Sequence, residues 1–167
     1  MKVLGIILIV LVVAALGFVA YFWLFQGPSS ANMTVTYTDC IAADPVEFSD
    51  EFARLKEQRE NGTFIGTVFS DLPLGSPEEY VFYTWTVHLS NQTRIPAKVV
   101  EIQIVPMDGD VLQYPDTEIR SIQPGQEIDL TATVLTARNK HRVREAIVTW
   151  YFWGKLFTER ITVGQPV

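Results

Sequence analysis

Apolar and polar positions along the chain fall into two regimes. Val3 to Phe25 is an unbroken run of 23 positions without a charge, whereas after Gly27 apolar residues recur chiefly at every second position. At about 1.5 Å per residue the run makes a helix of roughly 35 Å, enough to cross a hydrocarbon core of about 30 Å. It predicts a transmembrane anchor over residues 1–26, with the lipid bilayer as the partner of Val3 to Phe25. The alternative is a cleaved secretory signal and a secreted product, because Lys2 gives a basic start and Ser29, Ser30 and Ala31 follow the run. Signal cores span only about 7 to 15 residues, and Tyr21, Phe22 and Trp23 suit a membrane interface better than a peptidase pocket, so retention is favoured. Lys2 is the only base before Arg54. That bias predicts a single-pass protein of the cell membrane with a cytoplasmic amino terminus and everything after Gln26 outside.

Residues 27–31 read as a short linker and 32–167 as one extracytoplasmic domain. Met33, Val35 and Tyr37 alternate with threonines as in a strand with one buried face. Asp44, Pro45 and Glu47 spell a capped helix start, and Phe48, Phe52 and Leu55 follow at helical spacing up to Asn61-Gly62. The spacing predicts a short amphipathic helix over about 45–60 that lays both phenylalanines on the domain. From Thr63 onward the chain turns to β-branched and aromatic residues, with Val81, Tyr83, Trp85, Val87 and Leu89 on one face of a long strand. Trp85 is the expected centre of the core. Alternation returns at Val100, Ile102 and Ile104, at Ile119 and Ile122, at Ile128 to Val134, at Ala146 to Phe152 and in a terminal hairpin through Phe157, Ile161 and Val163. Asp108-Gly109, Pro124-Gly125 and Gly154-Lys155 mark the turns. About eight strands with no βαβ rhythm make the expected class mainly β, an immunoglobulin-like antiparallel sandwich with one inserted helix behind one membrane helix.

Within this part, Tyr80 to Thr136 resembles the FxLYD-type, immunoglobulin-like domains of bacterial envelope proteins. The resemblance rests on the strand ending in Asn91, the Ile95-Pro96-Ala97 re-entry, the Val100, Ile102, Ile104 alternation, Asp108 to Leu112, and Ile122 before Pro124-Gly125. Val105-Pro106-Met107 stands where that pattern has its aromatic and tyrosine-aspartate part. The resemblance implies an extracytoplasmic β-sandwich of a kind largely without an assigned activity.

Charge narrows the partners. Setting Lys2 aside, 12 of the 13 Lys and Arg and all 19 Asp and Glu follow the apolar run, a balance of minus seven that disfavours nucleic acid. Asp39 to Glu60 alone holds seven acids against three bases, which a solvated helix face accounts for. Cys40 is the only cysteine, so an internal disulfide is excluded and a bridge to another chain stays open beside simple burial. There is no G-x-S-x-G elbow, His88 and His141 stand far apart, and no Cys/His cluster suits zinc. Asp108 and Asp110 flank a glycine as turn residues do, without the ligand series of a calcium loop. No cofactor, metal or catalytic group is expected.

Two groups invite a binding role. Arg138, Lys140, His141, Arg142 and Arg144 concentrate positive charge in an acidic chain, as an anion-binding loop would, or as a solvated connection paired with the acidic helix. Trp150 to Trp153 place rings on both faces of one strand, so Tyr151 and Trp153 mark a partner or carbohydrate surface unless a neighbouring element covers them. Asn32, Asn61 and Asn91 head glycosylation sequons that matter only in a eukaryotic secretory route. The expectation is a non-catalytic envelope protein whose sandwich binds or scaffolds an envelope or membrane protein, with a glycan, anionic-polymer or small-ligand module as the alternative.

Overall fold

The structure is a computed structural model that describes residues 2–25, 33–115 and 120–165. The expected linker 27–31, Asn32 and Ile119 lie outside the described residues. Helix α1 (Lys2–Phe25) is 24 residues long and has no acid in its first turn or base in its last. Its side chains are described without a break only from Ile9 to Tyr21, and among the described residues no helix is long and apolar enough to cross a membrane.

The rest is a two-sheet, wholly antiparallel β-sandwich with one short helix. The elements are β1 (Met33–Ala43), α2 (Ser49–Glu60), β2 (Thr67–Val68), β3 (Tyr80–Asn91), β4 (Ala97–Ile104), β5 (Asp110–Gln113), β6 (Arg120–Ile122), β7 (Glu127–Ala137), β8 (Arg144–Phe152) and β9 (Lys155–Val163). One sheet has the order β1-β3-β7-β5-β2 and the other β6-β4-β8-β9. Alternating residues of both inner faces form the main core around Trp85, Val87, Leu89, Ile102, Ile104, Leu130, Val134, Val148, Trp150 and Phe152. The period of two read from β3, β4, β7 and β8 is the physical cause, because it sends every second apolar side chain between the sheets.

A second core sits on the outer face of the five-stranded sheet. Phe52 and Leu55 of α2 press on Leu74, Phe82, Val111, Leu112 and Leu135. Phe82 and Leu135 face each other across β3 and β7, which is why these strands carry apolar residues on both faces at this end.

The helix is shorter than the capping signal predicts. Asp44 to Phe48 form overlapping four-residue turns, with Glu47 N–H to Asp44 C=O at 3.0 Å and Phe48 N–H to Pro45 C=O at 3.2 Å. The first helical bond is Phe52 N–H to Phe48 C=O at 2.9 Å. Phe48 is consequently turned outward, 48% exposed, while Phe52 and Leu55 are buried as the spacing predicts. β2 is only two residues long and exposed, so the β-branched and aromatic stretch that opens at Thr63 is largely irregular chain as far as Phe69.

Two buried side chains finish the backbone bonding at places where strands end. Asn91 Nδ2 donates to the carbonyls of Ile95 and Ile122, each at 2.9 Å, while its Oδ1 accepts from Thr93 N–H and Oγ1. Gln113 of β5 extends its amide to β4 in the other sheet. Its Oε1 accepts from Ile104 N–H at 2.9 Å and its Nε2 donates to Ile102 C=O at 3.1 Å, where β6 no longer pairs with β4.

Candidate binding surfaces

The basic segment connects β7 to β8 and is folded back onto three acids from two other places. Arg138 holds Asp44 with both terminal nitrogens, at 3.0 and 2.7 Å, and donates from Nε to Glu78 C=O at 2.7 Å. This contact draws the Asp44 carboxyl below its usual range and raises Arg138 in turn. Lys140 reaches Asp108 at 2.6 Å, lowering that carboxyl as well, and its stem lies against Gly109. Arg144 is buried against Asp110, its Nη1 spent on the carbonyls of His141 and Val143. Three of the five predicted binding residues are therefore clamps, and Arg144 is closed to any ligand. His141 and Arg142 stay exposed, and the Arg142 carbonyl accepts from the buried Trp85 indole at 3.0 Å. The sequence signal for the Lys140 and Arg144 clamps was the Asp108-Gly109-Asp110 turn, whose carboxylates face this segment.

The aromatic pair occupies the other end. Tyr151 and Trp153 are 37% and 55% exposed, beside Leu156 at 50%. Tyr151 lies between Lys98 of β4 and Leu156 of β9 on the outer face, and Trp153-Gly154 forms the β8–β9 turn with both φ angles positive, 48° and 77°. The helix α2 does not reach them, because it packs on the opposite sheet. From Arg144 to Phe152 the strand runs about 25 Å at 3.2–3.4 Å per residue, so the two predicted groups do not form one site.

Other candidates resolve into structure. His88 pairs across strands with Asp129 at 2.8 Å, as its register requires. Cys40 follows a bulge in the edge strand β1, half-buried against the core, and burial pushes its thiol upward against the opposing pull of Arg142. Asn91, head of one sequon, is buried with its amide fully engaged, so that position is closed to glycosylation in the folded chain. Among the described residues no group of three or more His, Cys, Asp or Glu is placed to hold a metal ion.

A groove of about 180 Å³ that no sequence pattern announced lies between α2 and the outer sheet face, lined by Phe48, Glu51, Phe82, Thr84, Tyr114 and Thr133. Burial, with Glu51 nearby, pushes the Tyr114 hydroxyl up to about 12. A second groove of about 200 Å³ lies between α2 and the loop through Pro73 and Leu74. Both fall below the roughly 300–1,000 Å³ usual for a small-ligand site.

No family model matches the chain. No curated protein matches it either. Among solved structures it is similar to an uncharacterized β-sandwich protein from Clostridium difficile 630, with 11% identity over 80% of this chain and 88% of that one and a TM-score of 0.31. At that TM-score the likeness carries no argument, and the sandwich rests on the strand pairing described above.

Proposed function

We propose that this chain is a single-pass membrane protein of a bacterial envelope, with its amino terminus in the cytoplasm and its β-sandwich outside. The sandwich serves as a non-catalytic interaction or scaffolding module near the membrane surface. One observation carries the reading. In α1 the consecutive residues Ile9, Val10, Leu11, Val12 and Val13 are 51–64% exposed, and Leu16, Phe18 and Val19 are exposed too. Burying each such side chain is worth about 1.5–3 kcal/mol. A helix apolar on every side needs a non-aqueous surrounding, and the length match to a bilayer core comes from the sequence, in the 23-residue apolar run Val3 to Phe25.

The immunoglobulin-like reading draws support from strand order. β1-β3-β7-β5 against β9-β8-β4-β6 repeats the spatial order of an immunoglobulin sandwich, except that β5 and β6 exchange their places along the chain. The FxLYD-type kinship is proposed on the same footing, with Asn91 and the Pro124-Gly125 turn joined through Gly125 N–H to Asn91 C=O at 2.7 Å. A glycan or anionic-polymer binder has less behind it, because Arg138, Lys140 and Arg144 are engaged by acids of the same chain.

Photo-crosslinking from Tyr151 and His141 in intact cells, combined with alkaline carbonate extraction, tests the proposal. A reproducible crosslink to an envelope protein and retention in the membrane pellet are expected. Retention of the protein on purified wall polymer with no protein crosslink would sink the scaffolding reading.

A further inference from the structure

Strand directions place one end of the sandwich next to the point where the chain enters it. Met33, the first residue of β1, pairs with Asn91 at the end of β3, and Ser90 pairs with Glu127 at the start of β7. In the facing sheet Ala97 pairs with Ile122, Lys98 with Tyr151, and Phe152 with Lys155. The β8–β9 turn and the start of β1 therefore share one end, while the clamped basic segment lies at the other. The eight Cα steps from Phe25 to Met33 reach at most about 29 Å when fully extended.

This end has the composition of a membrane interface. Trp153 and Leu156 are 55% and 50% exposed, Tyr151 stands between Leu156 and the exposed Lys98, the exposed Arg94 lies in the β3–β4 connection at the same end, and the exposed Lys155 holds its ammonium 5.3 Å from the Phe157 ring. Glu127, an acid of the same end, is bonded to Ser90 at 3.2 Å. Tryptophan in the first position of the turn, at φ 48°, is costly, where Asn or Asp would adopt that conformation cheaply. A strained bulky ring held at a tip is kept for what it touches rather than for the turn. Tryptophan and tyrosine favour the headgroup region, and clustered bases favour anionic lipid.

We propose that the β8–β9 end of the sandwich docks on the outer surface of the bilayer that α1 enters, Trp153 and Leu156 seated at the headgroup boundary and Arg94, Lys98 and Lys155 facing anionic headgroups. The inference rests on the reading of α1 as a membrane anchor. It makes the short tether and the aromatic tip parts of one device that fixes the orientation of the sandwich on the membrane and turns the opposite end, with His141 and Arg142, outward.

The test uses the full chain carrying Trp23→Phe, reconstituted in vesicles of phosphatidylcholine with about 30% phosphatidylglycerol, a content chosen to give the negative surface that attracts bases. Trp85 and Trp150 are fully buried, so brominated phosphatidylcholine should quench Trp153 selectively. The expected result is at least a twofold loss of the Trp153 emission, absent when Trp153→Phe is added and reduced by Arg94→Ser/Lys98→Ser/Lys155→Ser. Release of the chain by alkaline carbonate overturns the anchor reading and the docking with it. Retention without Trp153-dependent quenching overturns the docking alone. Shielding of Trp153 from aqueous iodide that follows protein density, without lipid quenching, overturns it in favour of a second copy at the tip. Leu156→Ser, which leaves the turn untouched, should weaken the quenching in the same direction.

Discussion

Arg144 at the start of β8 and Asp110 at the start of β5 form a bidentate ion pair across the two sheets, with N–O distances of 2.8 and 2.6 Å. Their side chains are 1% and 0% exposed, and Asp110 also accepts from Met107 N–H at 2.8 Å. Such a pair contributes little net stability as a unit, but either half alone is a buried uncompensated charge. Asp110→Ala should therefore cost about 3–5 kcal/mol, whereas Asp110→Leu/Arg144→Met should cost far less than the sum of its parts. Urea unfolding of the single and double variants measures this, and additive losses would count against the pairing.

Gly164 follows β9 with φ 83°, and a Cβ there would stand 2.2 Å from the Arg142 carbonyl oxygen and 3.0 Å from Trp85 Nε1. The obstacle is backbone, which cannot rotate aside as a side-chain end can. Gly164→Ala should lower the unfolding free energy by more than the ~1 kcal/mol of a typical substitution and disturb the near-ultraviolet signal of Trp85. A thermal midpoint equal to that of the parent chain would refute the packing described here.

The two central tryptophans make a controlled comparison. Both are fully buried, yet the Trp85 indole N–H donates to Arg142 C=O while that of Trp150 has no hydrogen-bond partner among the described residues. Replacement by phenylalanine opens a similar void at each site, but only at Trp85 does it leave a carbonyl without its donor. Trp85→Phe should exceed Trp150→Phe in cost by about 0.5–1.5 kcal/mol, the net worth of one hydrogen bond. Equal chemical-denaturation midpoints for the two variants would contradict this.

The long strands were legible in the sequence because a half-buried antiparallel strand writes itself as alternation, as in Leu130, Ala132 and Val134. Trp85 was legible for the same reason. The outer core was not, since Phe82 and Leu135 occupy the face that alternation assigns to solvent and are buried only because α2 returns to cover them. Asp44 was legible in part: its Oδ1 accepts from Val46 N–H at 3.0 Å as its type and spacing announce, but the turn it caps stops short of α2, and the same carboxylate also holds Arg138, 94 positions away. Long-range pairing of this sort leaves no local periodicity. The same limit made Arg138, Lys140 and Arg144 read as one basic patch, whereas each charge already has its acid.

Those surface pairs set the acid limb of stability. Arg138 lowers Asp44 chiefly through its hydrogen bonds, and Lys140 lowers Asp108 in the same way. A carboxyl depressed in the folded state stabilises fully above its unfolded value of about 3.9 and loses that contribution as pH falls through the folded value. Glu159 has the opposite sign: burial raises its carboxyl, so its charge opposes folding as pH rises above the ordinary glutamate range. Between pH 5 and pH 2, Arg138→Gln and Lys140→Gln should each flatten the loss of thermal midpoint seen in the parent. Glu159→Gln should instead raise the midpoint at pH 7 and leave it unchanged near pH 3, where the parent carboxyl is already neutral. Parallel pH profiles for all four proteins, measured at constant ionic strength, would mean that none of these carboxylates is coupled to folding.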